Sequence, residues 1–226
     1  MNKPPKILRE FHMTRREGFT MVYPFTTYTT IFGPDQPERP NLNKLNAYFR
    51  ELFLQGTPSP EGKGSVSKGK KLMIEVEPFD TDLIRYAFDA GYDGMGKEQH
   101  ETVQNHLHAK DPFTYATEIP VWSTEEEVMD CNHCMDEIDR CEECDVEKCK
   151  RHAECDHLLH GHIDIIRYLP NDKIEIPDFK PGAEKETKAA SQVWKYMWLL
   201  SLRTGIPIED MFGCYFDGYY AYQLNV

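Results

Sequence analysis

The chain has 226 residues, 40% of them hydrophobic and 12% aromatic, which suffices for one substantial core. Its apolar residues come in short runs, none approaching the ~20 residues with which a helix crosses a bilayer, so no membrane-spanning helix is expected. Acids outnumber bases 38 to 26, for a formal charge of −12, and the imbalance is concentrated in one segment described below. The N-terminus, Met1-Asn2-Lys3-Pro4-Pro5, has none of the marks of a secretory leader. A reducing, cytoplasmic location is expected, the host cytoplasm for a viral chain.

Residues 1–85 are read as an N-terminal lobe. Within it Tyr48–Leu54 has a helical pattern and Leu72–Val76 the character of a strand. Between them, residues 55–71 are rich in Gly, Ser, Pro and Lys and predict a mobile loop. Its lysines Lys63, Lys68, Lys70 and Lys71 form a basic cluster, either simply solvated or touching a nucleic-acid backbone. Residues 86–226 form the second unit. Gly96-Lys97-Glu98-Gln99-His100-Glu101 opens an amphipathic helix, and Glu118-Ile119-Pro120-Val121-Trp122 reads as a strand whose Glu118 is a strand-end charge or supporting group rather than a ligand. His106, His108 and His160 suggest free use of histidine on polar surfaces.

An insertion at 124–160 follows, holding six of the seven cysteines. Cys131 and Cys134, and Cys141 and Cys144, are two C-x-x-C pairs, the tight-turn spacing that brings two thiolates to one tetrahedral ion. Cys149, His152 and Cys155, with His157 beyond, supply further donors, so one zinc site is expected and two are possible in ligand number. Between Thr124 and His157 lie thirteen acids and four bases, a charge of −9 that leaves −3 for all other residues. So acidic a module is unsuited to gripping phosphates and reads as a lid, a negative wall or a docking site for a protein partner. Metal binding would offset part of that charge and order a stretch poor in apolar residues.

Beyond the insertion, Gly161-His162-Ile163-Asp164-Ile165-Ile166 and Ile174-Glu175-Ile176-Pro177-Asp178-Phe179 are two β-prone runs separated by the turn residues Pro170, Asn171 and Asp172. A hairpin would set Asp164 and Asp178 side by side. Strand alternation puts Asp178 and Lys180 on one face and Phe179 on the other. Two carboxylates and an ammonium suit phosphodiester hydrolysis, which needs a hard divalent cation such as Mg²⁺ or Mn²⁺ and compensation of negative charge. A helix over Ala189–Thr204, stopped by Gly205 and Pro207, has Val193, Met197 and Leu200 as its buried stripe. Gln192 and Tyr196, four apart, share a face toward the cleft. Trp194 and Trp198 read as packing residues, and Arg203 as a phosphate contact or a solvated C-terminal cation.

Taken in order, Asp164, Asp178, Lys180, Gln192 and Tyr196 resemble the PD-(D/E)xK nuclease superfamily, in its RecB-like and Cas4-like exonuclease branch, over about residues 86–226. Ile163 stands where the superfamily name has Pro. The resemblance implies an α/β (α+β) fold with a restriction-endonuclease-like core, a central mixed β-sheet flanked by helices, here interrupted by the Cys-rich insertion. It further implies a catalytic Mg²⁺ or Mn²⁺ held by Asp164, Asp178, the backbone carbonyl of Phe179 and a helical His, for which His100 is the match and Glu101 the competitor. Relatives of this kind carry an iron–sulfur cluster with one cysteine before the core and three after it. This chain has no cysteine before Cys131 and only Cys214 after the core, which favours zinc over that alternative. The implied activity is a deoxyribonuclease acting on single strands or duplex ends in repair, recombination or mobile-element processing. The competing reading is a non-catalytic nucleic-acid-binding accessory protein whose zinc module docks a partner.

Overall fold

A computed structural model describes residues 5–14, 20–55, 65–68, 71–92, 99–124, 127 and 159–225. The expected ligands Cys131, Cys134, Cys141, Cys144, Cys149, His152 and Cys155 lie outside the described residues, as do His157, Lys63, Lys70 and Gly96–Glu98.

The fold is α+β: one mixed sheet of eight strands with helices on it. In chain order the elements are β1 (Lys6–Thr14), β2 (Thr20–Tyr28), α1 (Pro40–Gln55), β3 (Val76–Pro78), α2 (Asp82–Asp89), α3 (Gln99–Lys110), β4 (Thr114–Trp122), β5 (His160–Tyr168), β6 (Ile174–Phe179), α4 (Ala189–Thr204), β7 (Met211–Phe216) and β8 (Ala221–Leu224). The strands lie in the order β1-β2-β4-β5-β6-β7-β8-β3. All neighbours are antiparallel except β6 and β7, which α4 joins as a crossover between parallel strands. β6 is buried along its whole length, as a strand covered on both faces must be.

Two apolar clusters hold helices to the sheet. One joins Leu45, Phe49 and Leu52 of α1 and Val193, Met197 and Leu200 of α4 to Ile163 and Ile176. The other joins Leu83 of α2 and Val103 and Leu107 of α3 to Ile165, Phe179 and Phe216. A Cβ on Gly213 would meet Met197 Sδ at 2.6 Å and Val193 Cγ1 at 2.7 Å, so the bare backbone of β7 is what lets α4 lie close. Gly205 ends α4 in the left-handed region at φ 66°, the expected stop.

The N-terminal segment shares this sheet: β1 and β2 edge one side, β3 the other, and α1 packs into the common core. The strand expected over Leu72–Val76 forms later, at Val76–Pro78, where β8 offers a free edge. The start of α1, which has no acid in its first turn, is capped from the β5–β6 turn: Asn41 N–H and Leu42 N–H donate to the Asp172 carboxylate at 2.8 and 3.2 Å. Among the described residues no helix is long and apolar enough to cross a membrane.

Candidate active site

The expected hairpin forms, but its strands pair only at the turn end. The β5–β6 ladder consists of Arg167↔Glu175 and Tyr168↔Ile174. Beyond that rung the strands part, and continuing the same register places Asp178 opposite Asp164 across the mouth of the fork. A buried ionic cluster locks the last rung. Arg167 donates to Asp111 at 2.8 and 3.2 Å, to Asp82 at 3.0 Å and to Glu175 at 2.5 Å.

At the mouth, Lys180 Nζ lies 2.8 Å from Asp178 Oδ2, and His100 Nδ1 lies 3.3 Å from Asp164 Oδ2. Asp178 is only 1% exposed. Apart from these two contacts and the approach of Asp164 and Asp178 to each other, no described donor reaches the Asp178 oxygens or Asp164 Oδ2. Buried carboxylate oxygens facing only charged groups are costly unless something further compensates them. Burial pushes the Asp178 carboxyl well up, and the charge of Asp164 adds to the push, against Lys180. For Asp164 burial acts upward too, but His100 and Lys180 outweigh it and leave this acid below its usual range. The two acids are thus driven apart, as neighbouring carboxyls must be. Lys180 loses some charge stability by burial but regains more from the acids, which holds its pKa above the ordinary lysine value.

A third carboxylate joins them. Glu118 lies on β4 between the paired positions Thr117↔Ile165 and Ile119↔Ile163, and its φ of 56° is left-handed. That conformation costs about 1–3 kcal/mol in a non-glycine residue and breaks the alternation of β4. Ala116 and Ile119 consequently both reach the α1/α4 cluster. Gln104 of α3 bridges the two strands, its Nε2 donating to Glu118 Oε1 at 2.6 Å and to the Asp164 carbonyl at 3.3 Å. Burial, then the charge of Asp164, raises the Glu118 carboxyl to about 7. Of the two readings of Glu118, strand-end charge and supporting group, its place inside β4 and its hydrogen bond from Gln104 beside Asp164 favour the second. Gln104 was missed altogether, although it lies four residues from His100 on one face of α3.

The candidates on α4 close the opposite side. Gln192 Nε2 donates to Tyr196 Oη at 3.0 Å. Tyr196 is buried, and burial together with the charges of Asp178 and Asp164 raises its hydroxyl well above the usual tyrosine value. It rests on Gly161, where a Cβ would meet Tyr196 Cε1 at 2.6 Å, so the glycine before Asp164 is a close approach of ring to backbone. Phe179 turns away from Asp178, its ring 5.1 Å from that of His100. Glu101 is exposed, whereas His100 is the member of the pair that touches Asp164.

No family model, curated protein or solved structure matches the chain. The site must therefore be judged by its own chemistry. Among the described residues no three His, Cys, Asp or Glu side chains stand as a ready-made cage for a cation. The donor chemistry fits a hard divalent ion even so: Asp164 and Asp178 bring buried carboxylate oxygens together, with Lys180 and His100 as their partners and Glu118 in reach of the same charges.

Two other expectations are revised by packing. Arg203 is not a solvated cation: its guanidinium lies 5.2 Å over the Trp122 ring and pairs with Glu127. Glu127 in turn exchanges reciprocal hydrogen bonds with Thr124, the pattern of a capping box. His108 is buried rather than on a polar surface, with Nε2 3.1 Å from Thr117 Oγ1. Trp194 and Trp198 pack against the core as expected.

Proposed function

We propose that the chain is a metal-dependent nuclease of the PD-(D/E)xK type that hydrolyses phosphodiester bonds of DNA, acting on single strands or ends. The observation that carries this reading is the fork between β5 and β6, which sets Asp164 and Asp178 across from each other with Lys180 on one acid and His100 on the other.

Asp164, Asp178, the Phe179 carbonyl and His100 are the groups proposed to hold Mg²⁺ or Mn²⁺, with Glu118 the further carboxylate in reach of the cluster. The bound ion would supply Lewis acidity toward the phosphate and a more acidic water. The chain's own groups have separable tasks. Lys180, kept protonated by its acids, offsets negative charge developing on phosphorus oxygens and orients a water by donation. Asp178 must give up the proton that burial favours, so binding of a cation and ionisation of this acid go together. Tyr196, whose hydroxyl accepts from Gln192 and whose ring rests on Gly161, keeps its hydroxyl proton and so retains one donor for a phosphate oxygen. Gln104 ties Glu118 to the backbone of Asp164, so the acids of β4 and β5 keep their spacing.

Cleavage of labelled single-stranded DNA, duplex DNA and RNA with Mg²⁺ or Mn²⁺ tests the reading. Asp164→Ala, Asp178→Ala and Lys180→Ala should each cut the rate by at least ~10²-fold, with the circular dichroism of the fold retained. Full Mn²⁺-dependent activity in the Asp178→Ala protein would rule the site out. Nucleic-acid binding without cleavage by the native protein would point instead to the accessory role.

A further inference from the structure

We infer that the exposed rings of Phe88, Tyr219 and Tyr220 form a stacking surface for the bases of single-stranded nucleic acid, leading the strand toward Asp164 and Asp178. The destination of that path rests on the nuclease reading above; the surface itself rests on separate observations. Phe88 in the last turn of α2 is 58% exposed, and Tyr219 and Tyr220 in the β7–β8 turn are 51% and 43% exposed. Phe88 and Tyr219 meet edge to face at 6.5 Å. Large rings gathered from two elements are a different matter from apolar residues scattered singly over a surface.

These rings are held in place. Asp217, itself buried, accepts hydrogen bonds from Tyr219 N–H at 2.7 Å and Tyr220 N–H at 2.8 Å. Its other oxygen takes Gly182 N–H at 3.1 Å and Ala183 N–H at 3.0 Å, which ties the turn to the segment following Lys180. A Cβ on Gly218 would meet Tyr92 Cδ1 at 2.5 Å, so the turn sits directly on the Tyr92 ring. A surface fixed in this way loses little entropy when it binds.

It also lies near the candidate site. Tyr219 contacts Tyr92 at 5.8 Å, Tyr92 contacts Phe179 at 5.5 Å, and Phe179 contacts His100 at 5.1 Å, the residue lying against Asp164. Tyr92 and Phe179 are buried, so these contacts fix how near the rings stand to the centre, and a strand bridging that distance over the surface needs on the order of five nucleotides at ~3.4 Å each. Arg85, exposed and one turn before Phe88 on α2, supplies a cation for the phosphates of a strand laid over the rings. Stacking rings beside a cation bind single strands with little sequence preference, because every base has a π-face. Proximity to the proposed phosphate-cleaving centre, with Arg85 beside the rings, favours that occupant over an apolar protein surface.

The test uses the full-length protein and two probes. One is fluorescein-labelled oligothymidylate of about twelve nucleotides, longer than the path. The other is thymidine 5′-(4-nitrophenyl phosphate), which reaches the centre without reaching the rings. The Phe88→Ala/Tyr219→Ala protein should bind the oligonucleotide in Ca²⁺ at least ~10-fold more weakly by anisotropy, while hydrolysing the chromogenic diester with Mn²⁺ at the native rate. Phe88→Tyr, which keeps a ring, should bind as the native chain does. Native-like oligonucleotide affinity in the double variant would overturn the stacking surface and leave the nuclease reading standing. A change from dimer to monomer with unchanged DNA affinity would assign the rings to self-association and equally overturn it. Loss of oligonucleotide binding in the variant, with no diester hydrolysis by any form, would retain the stacking surface and remove the nuclease reading.

Discussion

Replacing Arg167 by Met should destabilise the protein by about 3–5 kcal/mol, because it removes the one cation from a buried cluster of three carboxylates. Arg167 is 3% exposed, and its partners Asp111 and Glu175 are buried while Asp82 is only partly so. Burial raises the Glu175 carboxyl against the opposing pull of Arg167, so without the guanidinium this acid takes up a proton or remains an uncompensated charge. At ~2–4 °C per kcal/mol for a chain of this size, the midpoint of thermal unfolding should fall by roughly 6–20 °C. Urea unfolding at pH 7 followed by circular dichroism gives the free energy directly. The deficit should shrink as pH falls, since protonating Glu175 relieves the variant more than the native chain. The loss should extend to function, because Arg167↔Glu175 is the last rung before β5 and β6 part. An Arg167→Met protein within 1 kcal/mol of native at pH 7 would refute the idea that this cluster closes the fork.

His100→Ala should raise the Mg²⁺ or Mn²⁺ concentration needed for half-maximal cleavage much more than Glu101→Ala, because only His100 touches Asp164; the reverse ranking in a metal titration would transfer the role to Glu101. Burial, with the nearby His160, lowers the His162 pKa to about 4 from 6.5. Between those values the unfolded chain binds the extra proton, so this residue's share of stability is complete above pH 6.5 and lost as pH falls toward 4, up to about 3 kcal/mol. His162→Asn should therefore gain on the native protein across that window, and parallel stability curves in acid-series urea melts would contradict it. Purified protein should contain zinc that survives mild EDTA treatment, while the same treatment silences cleavage reversibly. Iron with acid-labile sulfide in elemental analysis would replace the zinc assignment, and no metal at all would leave the cysteines as a disulfide or redox device.

Local chemistry by itself determined the elements that carry the chain's acids. The β-branched runs around Asp164 and Asp178, the Pro-Asn-Asp turn between them and the Gly205 stop after α4 are short-range signals, set by backbone preference and periodicity within a few residues, and the structure forms each of them. The spacing of Gln192 and Tyr196 likewise needed only the pitch of a helix. What tertiary structure alone decided is where strands stop pairing and which distant groups meet. The last paired rung of the β5–β6 fork is where Arg167 meets Asp82 and Asp111, an encounter that no periodicity encodes. The place of Glu118 in the cluster was not legible because it follows from a left-handed residue inside a strand, a conformation that only surrounding contacts can impose. Arg203 and His108 look like surface groups in one dimension and are claimed by Trp122 and by Thr117 in three. The strand placed at Leu72–Val76 moved to Val76–Pro78 for the same reason: β-propensity marks residues able to pair, and the edge of β8 chose among them.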